Sequence, residues 1–248
     1  MPIIPCKYPA DTEALIKMAR INDPDDCERF TELVQVAQAR PGSAVYETRL
    51  VESIEGDDIT IGGATFHARP LCRMMKTGTE VYPYVATCGT DMAGYGDGLT
   101  DALERYWWDI IMQDAVGRAR RGLVDEIERT AGYMPVSVNP GSIEMWPISN
   151  QPALFSMIGD VGAMIGVSIA PSFLMVPLKS ISGIFFAGVG GGGSGTATAD
   201  GTGGAATEPA ASAAAFTHNC CLCERENCPN RSAPFDAKLK AALENDMF

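Results

Sequence analysis

Residues 99–130 read LTDALERYWWDIIMQDAVGRARRGLVDEIERT and carry the longest helical pattern in the chain. Apolar side chains recur three or four positions apart, which is the period of one face of a helix. The pattern predicts that Tyr106 and Trp107 are core residues, whereas Trp108 faces solvent or a partner. The apolar positions are Leu103, Tyr106, Trp107, Ile110, Ile111, Ala115, Ala119 and Leu123.

Shorter helices are predicted on both sides of this segment. Asp11 is a candidate cap for a first helix, and Asp23 followed by Pro24 is typical of the start of a second. Two more short helices are predicted over residues 68–76 and 151–158. The second helix has an apolar stripe of Phe30, Leu33, Val34 and Ala37.

Strand patterns fill most of the remaining sequence up to residue 187. A turn at residues 55–58 suggests a hairpin, and residues 88–98, which are rich in glycine, read as a turn-rich loop. Together with the helices, the strands predict an α+β fold in which helices flank a mostly antiparallel sheet. The predicted extended segments are 43–51, 59–61, 81–87, 135–141, 167–169, 173–176 and 181–187.

Composition excludes several classes of protein. The 248-residue chain has a net charge of −12 and a pI near 4.6, which argues against nonspecific nucleic-acid binding because such binding needs a basic surface. The most apolar stretch, residues 153–177, is interrupted by Asp160, glycines and two prolines, so no membrane span is predicted. With no secretory signal and no disulfide-like cysteine spacing, we expect a cytoplasmic protein.

The last quarter of the sequence differs in composition from the rest. Residues 188–215 are mostly glycine, alanine, serine and threonine, which predicts a flexible linker. The linker separates a body, residues 1–187, from a tail, residues 216–248. A short helix is predicted in the tail over residues 236–247.

Four of the eight cysteines lie within nine residues of this tail. Thiolates at such density indicate an iron–sulfur or zinc site, although the spacing matches no standard ferredoxin repeat. The alternative is that these cysteines bind nothing. The predicted ligands are Cys220, Cys223 and Cys228, and the candidates for a fourth are Cys221, His218 and Cys88.

Several segments together resemble the activation domain of cobalamin-dependent methionine synthase, and still more its free-standing short relatives. The resemblance covers about residues 10–187 and depends on the order of the segments rather than on any one of them. They are Val85–Gly89, Leu103–Trp107, Pro140-Gly141 leading to Trp146-Pro147, Gln151–Phe155, and Ser172–Pro177 followed by Ser180–Gly183.

The resemblance implies a helix-flanked, twisted antiparallel sheet. In that family the domain binds S-adenosylmethionine and docks over cobalamin held by a partner module, so that cobalt(II) is reduced and methylated. We therefore expect an accessory component of a corrinoid-dependent methyltransferase, with ferredoxin or flavodoxin as the electron donor. This task favours an iron–sulfur cluster of the [4Fe–4S] type over zinc, because zinc has no redox chemistry.

Two other functions stay open. One is a non-redox subunit that binds a corrinoid protein and has a zinc-ordered tail. The other is a complete reductive methylation module that uses S-adenosylmethionine.

The region expected to bind S-adenosylmethionine departs from the family pattern. Where the full-length enzymes carry an arginine and then Pro-Gly-Tyr, this chain has Pro140 and Gly141, but Ser137 and Ser142 replace the arginine and the tyrosine. A second candidate pair, Arg129 and Tyr133, has the right residue types but lies out of register with the downstream match. Binding of S-adenosylmethionine is therefore left open.

Two further residues of the body, His67 and Cys88, are candidates for a function. His67, the only histidine of the body, is interpreted as structural, and the chain lacks the Asp-x-His-x-x-Gly segment of corrinoid carriers. We therefore expect cobalamin to be held by a partner. Cys88 is either a buried small apolar residue or a functional thiol.

Overall fold

The computed structural model describes residues 3–143, 145–187, 219–225, 227–228 and 233–244. Within these residues the strands are β1 (Ile3–Cys6), β2 (Gly42–Tyr46), β3 (Arg49–Glu55), β4 (Asp58–Ile61), β5 (Ala64–His67), β6 (Glu80–Thr87), β7 (Pro135–Val138), β8 (Ser168–Ile169), β9 (Met175–Val176) and β10 (Ser180–Ala187). The helices are α1 (Thr12–Ala19), α2 (Pro24–Gln38), α3 (Arg69–Met74), α4 (Thr90–Gly98), α5 (Ala102–Ala131), α6 (Gln151–Ile158), α7 (Val161–Ile165) and α8 (Ala237–Glu244).

The described residues divide into two compact units. Unit 1 takes those within Met1–Glu47, Pro83–Glu126 and Gln151–Gly183. Unit 2 takes those within Thr48–Tyr82, Ile127–Asn150 and Ile184–Phe248. Strands β6 and β10 and helix α5 contribute residues to both.

Unit 1 pairs β1 with β2 and β2 with β6, both antiparallel, and the strands are accompanied by helices that begin where the sequence indicates. Asp11 caps α1, its side chain accepting from the backbone N–H of Ala14 at 3.0 Å. Asp23 caps α2 by accepting from Asp25 and Asp26. Side-chain caps of this kind satisfy backbone donors that the first helical turn leaves unpaired, and both were predicted.

The core of unit 1 lies between α2 and α5. All four residues of the predicted α2 stripe are buried. Phe30 contacts Trp107 edge to face, with ring centroids 5.9 Å apart. The buried set also includes Leu15, Cys88, Met92, Trp108, Ile111 and Ala115.

Three predictions in unit 1 are wrong: the loop at residues 88–98 and the environments of Trp108 and Tyr106. Residues 90–98 form helix α4 and not a loop, and α4 covers the face of α5 that carries Trp108. Trp108 is therefore 1% exposed, and its indole N–H donates to the carbonyl of Met92 at 3.0 Å. Tyr106, predicted to be core, is 56% exposed on a different face of α5.

Unit 2 contains an antiparallel meander in which β3 pairs with β4 and β4 with β5. The predicted hairpin is confirmed: Glu55 lies opposite Asp58, and Gly56 takes the left-handed conformation that its turn requires (φ 63°). Strand β3 also pairs with β6, and β10 pairs antiparallel with β7. The predicted strand 43–51 is instead two strands separated by residues 47 and 48, because β3 continues to Glu55 through its pairing with β4.

The α+β prediction is confirmed, since the paired strands with determined register are all antiparallel and helices accompany them in both units. The predicted linker, residues 188–215, lies outside the described residues. In the tail, α8 falls inside the predicted range 236–247. No helix within the described ranges combines the length and the apolar character that crossing a bilayer requires.

Candidate functional site

The region expected to bind S-adenosylmethionine is a tight turn after β7, in unit 2. The N–H of Gly141 donates to the carbonyl of Trp146 at 2.7 Å, and the N–H of Ser142 donates to that of Asn139 at 3.2 Å. Gly141 has φ 78°, and a Cβ there would lie 3.0 Å from Cβ of Ile148. Both the conformation and the close approach of Ile148 require glycine at this position.

Trp146 ends this turn and is completely buried. Its ring meets Phe66 edge to face, with centroids 6.0 Å apart and planes at 83°. Its indole nitrogen Nε1 is buried, and no hydrogen-bond partner for it exists among the residues that the structure describes. An unsatisfied buried donor costs about 1–3 kcal/mol, so Nε1 is a candidate donor to a ligand or a water molecule. Nothing in the residue pattern around Trp146 indicates this role.

The two serines of the predicted site have different surroundings. Ser137 is buried in β7, where it pairs with Phe185 of β10. Ser142 is exposed on the turn. Of the two, only Ser142 is therefore accessible to a ligand from solvent.

Arg129 and Tyr133, the alternative pair, lie at the C-terminal end of α5, Arg129 within the helix and Tyr133 just after it. Arg129 is exposed in the last turn of the helix, and Gly132 (φ 78°) closes it. Tyr133 is half-buried and hydrogen-bonded to Tyr82, whose hydroxyl also donates to Glu80. Burial raises the pKa of both tyrosines, so both stay neutral phenols at neutral pH. The Tyr133 hydroxyl therefore belongs to an internal network.

A separate surface feature lies in unit 1, where β8 and β9 form a short hairpin. We call residues 169–178 the apolar hairpin. Large apolar side chains are exposed along it: Leu174 is 47% and Leu178 is 68% exposed, and Phe173 and Val176 are exposed as well. A run of exposed apolar side chains of this kind typically marks an interaction surface.

The apolar hairpin has a fixed backbone. The N–H of Phe173 donates to the carbonyl of Ala170, and the N–H of Ala170 donates to that of Leu174, both at 2.8 Å. These bonds hold Phe173 at φ 63°, a conformation that is unfavourable for a bulky residue. Backbone strain of this kind is concentrated at functional sites.

Side-chain bonds attach the C-terminal end of the apolar hairpin to the rest of unit 1. Lys179 Nζ donates to Asp109 Oδ2 at 2.9 Å. Ser180 Oγ donates to the carbonyl of Pro177 at 2.8 Å and is also hydrogen-bonded to the hydroxyl of Thr87, with the two oxygens 2.9 Å apart. Lys179 is also the only charged residue in the sequence from 161 to 187, so the exposed surface of the hairpin is uncharged.

The cysteine tail is described for its four thiols but not for His218, which lies outside the described residues. A 3₁₀ turn over residues 219–222 brings the N–H of Cys223 within 3.3 Å of the carbonyl of Cys220. Cys221 is buried, whereas Cys220, Cys223 and Cys228 are half-buried. Within the described ranges no three metal-ligating side chains form a group that could hold an ion, so the tail fits a metal by its donor chemistry but not by an assembled geometry.

Cys88 and His67 lie in ordinary structural surroundings. The Cys88 thiol is buried in the core of unit 1 and donates to the carbonyl of Gly89 at 3.6 Å. Burial raises its pKa to about 11, which favours the packing interpretation over that of a reactive thiol. His67 is exposed, and its Nδ1 lies 2.8 Å from Asp58 Oδ1.

Comparison with known proteins identifies the fold but not a family. No protein-family model matches the chain, and no curated protein does either. Thirteen chains of solved structures match. One is the crystal structure of the MetH reactivation domain bound to AdoHcy, with a TM-score of 0.51 and 13% identity over 75% of this chain and 77% of that chain. At this identity the likeness shows that the two share a fold, as the resemblance in sequence predicted.

Proposed function

We propose that this protein is an accessory component of a corrinoid-dependent methyltransferase, which docks on cobalamin held by its partner and assists the return of cobalt(II) to cobalt(I). The observation that carries the proposal is the fold shared with a reactivation domain over three quarters of the chain. The ordered resemblance in sequence supports the same assignment. A cytoplasmic location and a ferredoxin or flavodoxin as electron donor belong to this proposal.

The apolar hairpin is the docking surface that we assign to the corrinoid face of the partner. It is exposed, fixed and uncharged, features that suit contact with a flat, largely apolar macrocycle. A second copy of this chain is a poorer occupant, because each copy carries a net charge of −12 and the two would repel. The rest of the partner's interface would have to meet the acidic remainder of this protein.

The tail is the element that we assign to metal binding. Cys220, Cys223 and Cys228 would hold an iron–sulfur cluster, and such a cluster supplies one electron at low potential when bound. Zinc on the same thiolates would instead order the tail and make the protein a non-redox interaction subunit. Iron, sulfide and zinc determination on anaerobically purified protein distinguishes the two.

Docking is tested by calorimetric binding to the cobalamin module of a methionine synthase, loaded with cobalamin or free of it. We expect binding to the loaded module and weaker or no binding to the empty one. Replacing Leu174 and Val176 by Asp should abolish binding, because acidic groups would enter an apolar contact. Met18→Asp, at an apolar residue of α1 that is also exposed, is the control and should bind as wild type does. Equal binding by both variants would exclude the hairpin as the docking surface.

One observation favours a second function, that of a reductive methylation module using S-adenosylmethionine. The unsatisfied Nε1 of Trp146 lies at the end of the Pro140-Gly141 turn, and the structural neighbour is bound to AdoHcy. Calorimetric titration with S-adenosylmethionine tests this function. Trp146→Phe keeps an aromatic side chain but removes the indole N–H, and the loss of one hydrogen bond of about 1 kcal/mol should weaken binding roughly fivefold. No heat with the wild-type protein removes this function from consideration.

A further inference from the structure

A cavity of about 620 Å³ lies in unit 1, where the residues just after α2 meet the first turns of α4. A volume of this size is typical of small-molecule sites, which span roughly 300–1,000 Å³. None of the lining residues belongs to the apolar hairpin, to the Pro140-Gly141 turn or to the cysteine tail. They are Ala39, Arg40, Thr90, Asp91, Gly94 and Tyr95.

The guanidinium of Arg40 is held at this cavity by two contacts. Its Nη1 donates to the carbonyl of Val36 at 2.6 Å. Its Cζ lies 4.7 Å from the ring centroid of Tyr95, which is a cation–π contact. A guanidinium has five N–H donors, so one bond to a carbonyl leaves most of them for a ligand.

Tyr95 is in turn fixed by the core of unit 1. Its ring lies against that of Trp108, with centroids 4.6 Å apart and planes at 45°. Trp108 is buried, and its N–H donates to the carbonyl of Met92. Arg40 is therefore connected through Tyr95 to the packing of α4 on α5. A ligand that pairs with Arg40 has little of this long side chain left to order, which lowers the cost of binding.

The cavity also carries two opposite charges that do not neutralise each other. Within the described residues neither Arg40 nor Asp91 forms an ion pair, so their charged atoms lie more than 4.0 Å apart. A simple anion would be attracted by Arg40 but repelled by Asp91 and by the net charge of −12. A small zwitterion would instead meet a group of opposite charge at each end. Ala39, Gly94 and the ring of Tyr95 add uncharged surface between them.

We propose that this cavity binds a free α-amino acid with an apolar side chain. The carboxylate of the amino acid pairs with Arg40, and its ammonium group pairs with Asp91. Tyr95 is a positioning residue, because its ring holds the guanidinium. The site is separate from the docking surface and the metal site proposed above, so its failure would leave both of them standing.

Calorimetric titration of the full-length chain with L-leucine, L-methionine and L-phenylalanine, each separately, tests the proposal. We expect saturable binding of at least one of them. The tightest binder is then compared with the acid that lacks its ammonium group and the amine that lacks its carboxylate, which for L-leucine are 4-methylpentanoate and 3-methylbutylamine. Each analogue should bind at least about tenfold more weakly, because one charged pair is lost. Saturable binding of none of the three amino acids, or equal binding by either analogue, overturns the proposal.

Substitutions at the two charges locate the binding. Arg40→Gln and Asp91→Asn should each weaken it about tenfold or more. Arg121→Gln, at an exposed residue of α5, and Asp97→Asn, at an exposed residue of α4, are the matched controls and should bind as wild type does.

Thermal unfolding of each variant shows whether the fold is kept. Arg40 also contacts Tyr95, so Arg40→Gln can lose stability as well as binding. Asp91→Asn decides the question in that case, because the Asp91 carboxylate forms no hydrogen bond or ion pair with any residue that the structure describes. Wild-type affinity in a folded Asp91→Asn or Arg40→Gln variant would overturn the assignment of the site.

Discussion

Gly96 of α4 makes room for Trp108, and its replacement by alanine tests how α4 packs on α5. A Cβ on Gly96 would lie 2.5 Å from Cδ1 and 2.8 Å from Nε1 of Trp108. The ring cannot swing away freely, because it is buried and its N–H donates to the carbonyl of Met92. Either α4 shifts or the indole leaves its hydrogen bond.

Three terms decide the size of the effect. Overpacking a core costs about 1–3 kcal/mol, and the weakened hydrogen bond costs about 1 kcal/mol more. Alanine in place of glycine inside a helix stabilises the helix by about 1 kcal/mol, which offsets part of these costs. We therefore expect Gly96→Ala to lower the free energy of unfolding by about 1–3 kcal/mol, with Tm falling by roughly 2–4 °C for each kcal/mol.

Gly94→Ala is the matched control for Gly96→Ala. It lies in the same helix, but a Cβ there meets nothing within 4 Å. Only the helix term applies, so its free energy of unfolding should rise by up to about 1 kcal/mol. Urea unfolding followed by tryptophan fluorescence measures both variants. Equal stabilisation by the two substitutions would refute the packing of α4 on Trp108.

Three other perturbations test separate parts of the structure. Arg69 hydrogen-bonds Asp57 and holds the pKa of that carboxyl below its ordinary 3.8, so the pair stabilises the fold above that pH and ceases to do so as pH falls through the lowered value. Asp57→Asn should therefore reduce the loss of unfolding free energy at acidic pH, measured by unfolding at a series of pH values. An unchanged acid dependence would count against the pair. Cys88, whose pKa is about 11, should resist iodoacetamide in the native protein at neutral pH and react on denaturation; rapid native labelling would contradict its burial. Leu33→Ala should cost about 2–5 kcal/mol because Leu33 is fully buried. Met18→Ala, at an exposed site, should stay within about 0.5 kcal/mol of wild type, and similar losses for these two would disprove the assigned core.

The elements that the sequence predicts best are those whose signals are local. The caps at Asp11 and Asp23, the stripe on α2 and the bounds of α6 follow from side chains a few residues apart, which act whatever the rest of the chain does. The antiparallel class follows equally from short strands separated by turn residues.

The errors arise where contacts distant in sequence decide the outcome. Three glycines in residues 90–98 favour a loop on local propensity, but packing against Trp108 selects a helix in which Gly96 leaves space for the indole. Periodicity alone does not show which side of α5 is covered by α4. The pattern therefore predicts that Tyr106 is buried and Trp108 exposed, whereas the structure has the reverse.

Features of the candidate sites were hidden from the sequence for the same reason. Nothing in the residue order shows that the Nε1 of Trp146 is buried without a partner among the described residues, or that Phe173, Leu174 and Val176 of the predicted strand 173–176 are exposed. Cys221 is buried and Cys220 is half-buried in a turn that packs on α8, a helix that begins sixteen residues after Cys221. The density of thiols is readable in the sequence, but the burial of each one is not.

The rate at which cobalt(II) disappears tests the proposed function most directly. A cobalamin module of a methionine synthase in the cobalt(II) form would be mixed anaerobically with reduced ferredoxin or flavodoxin, and the visible spectrum followed with and without this protein. We predict faster loss of cobalt(II) in its presence, and no acceleration when Leu174 and Val176 are replaced by Asp. A rate that this protein leaves unchanged would contradict a role in corrinoid reactivation.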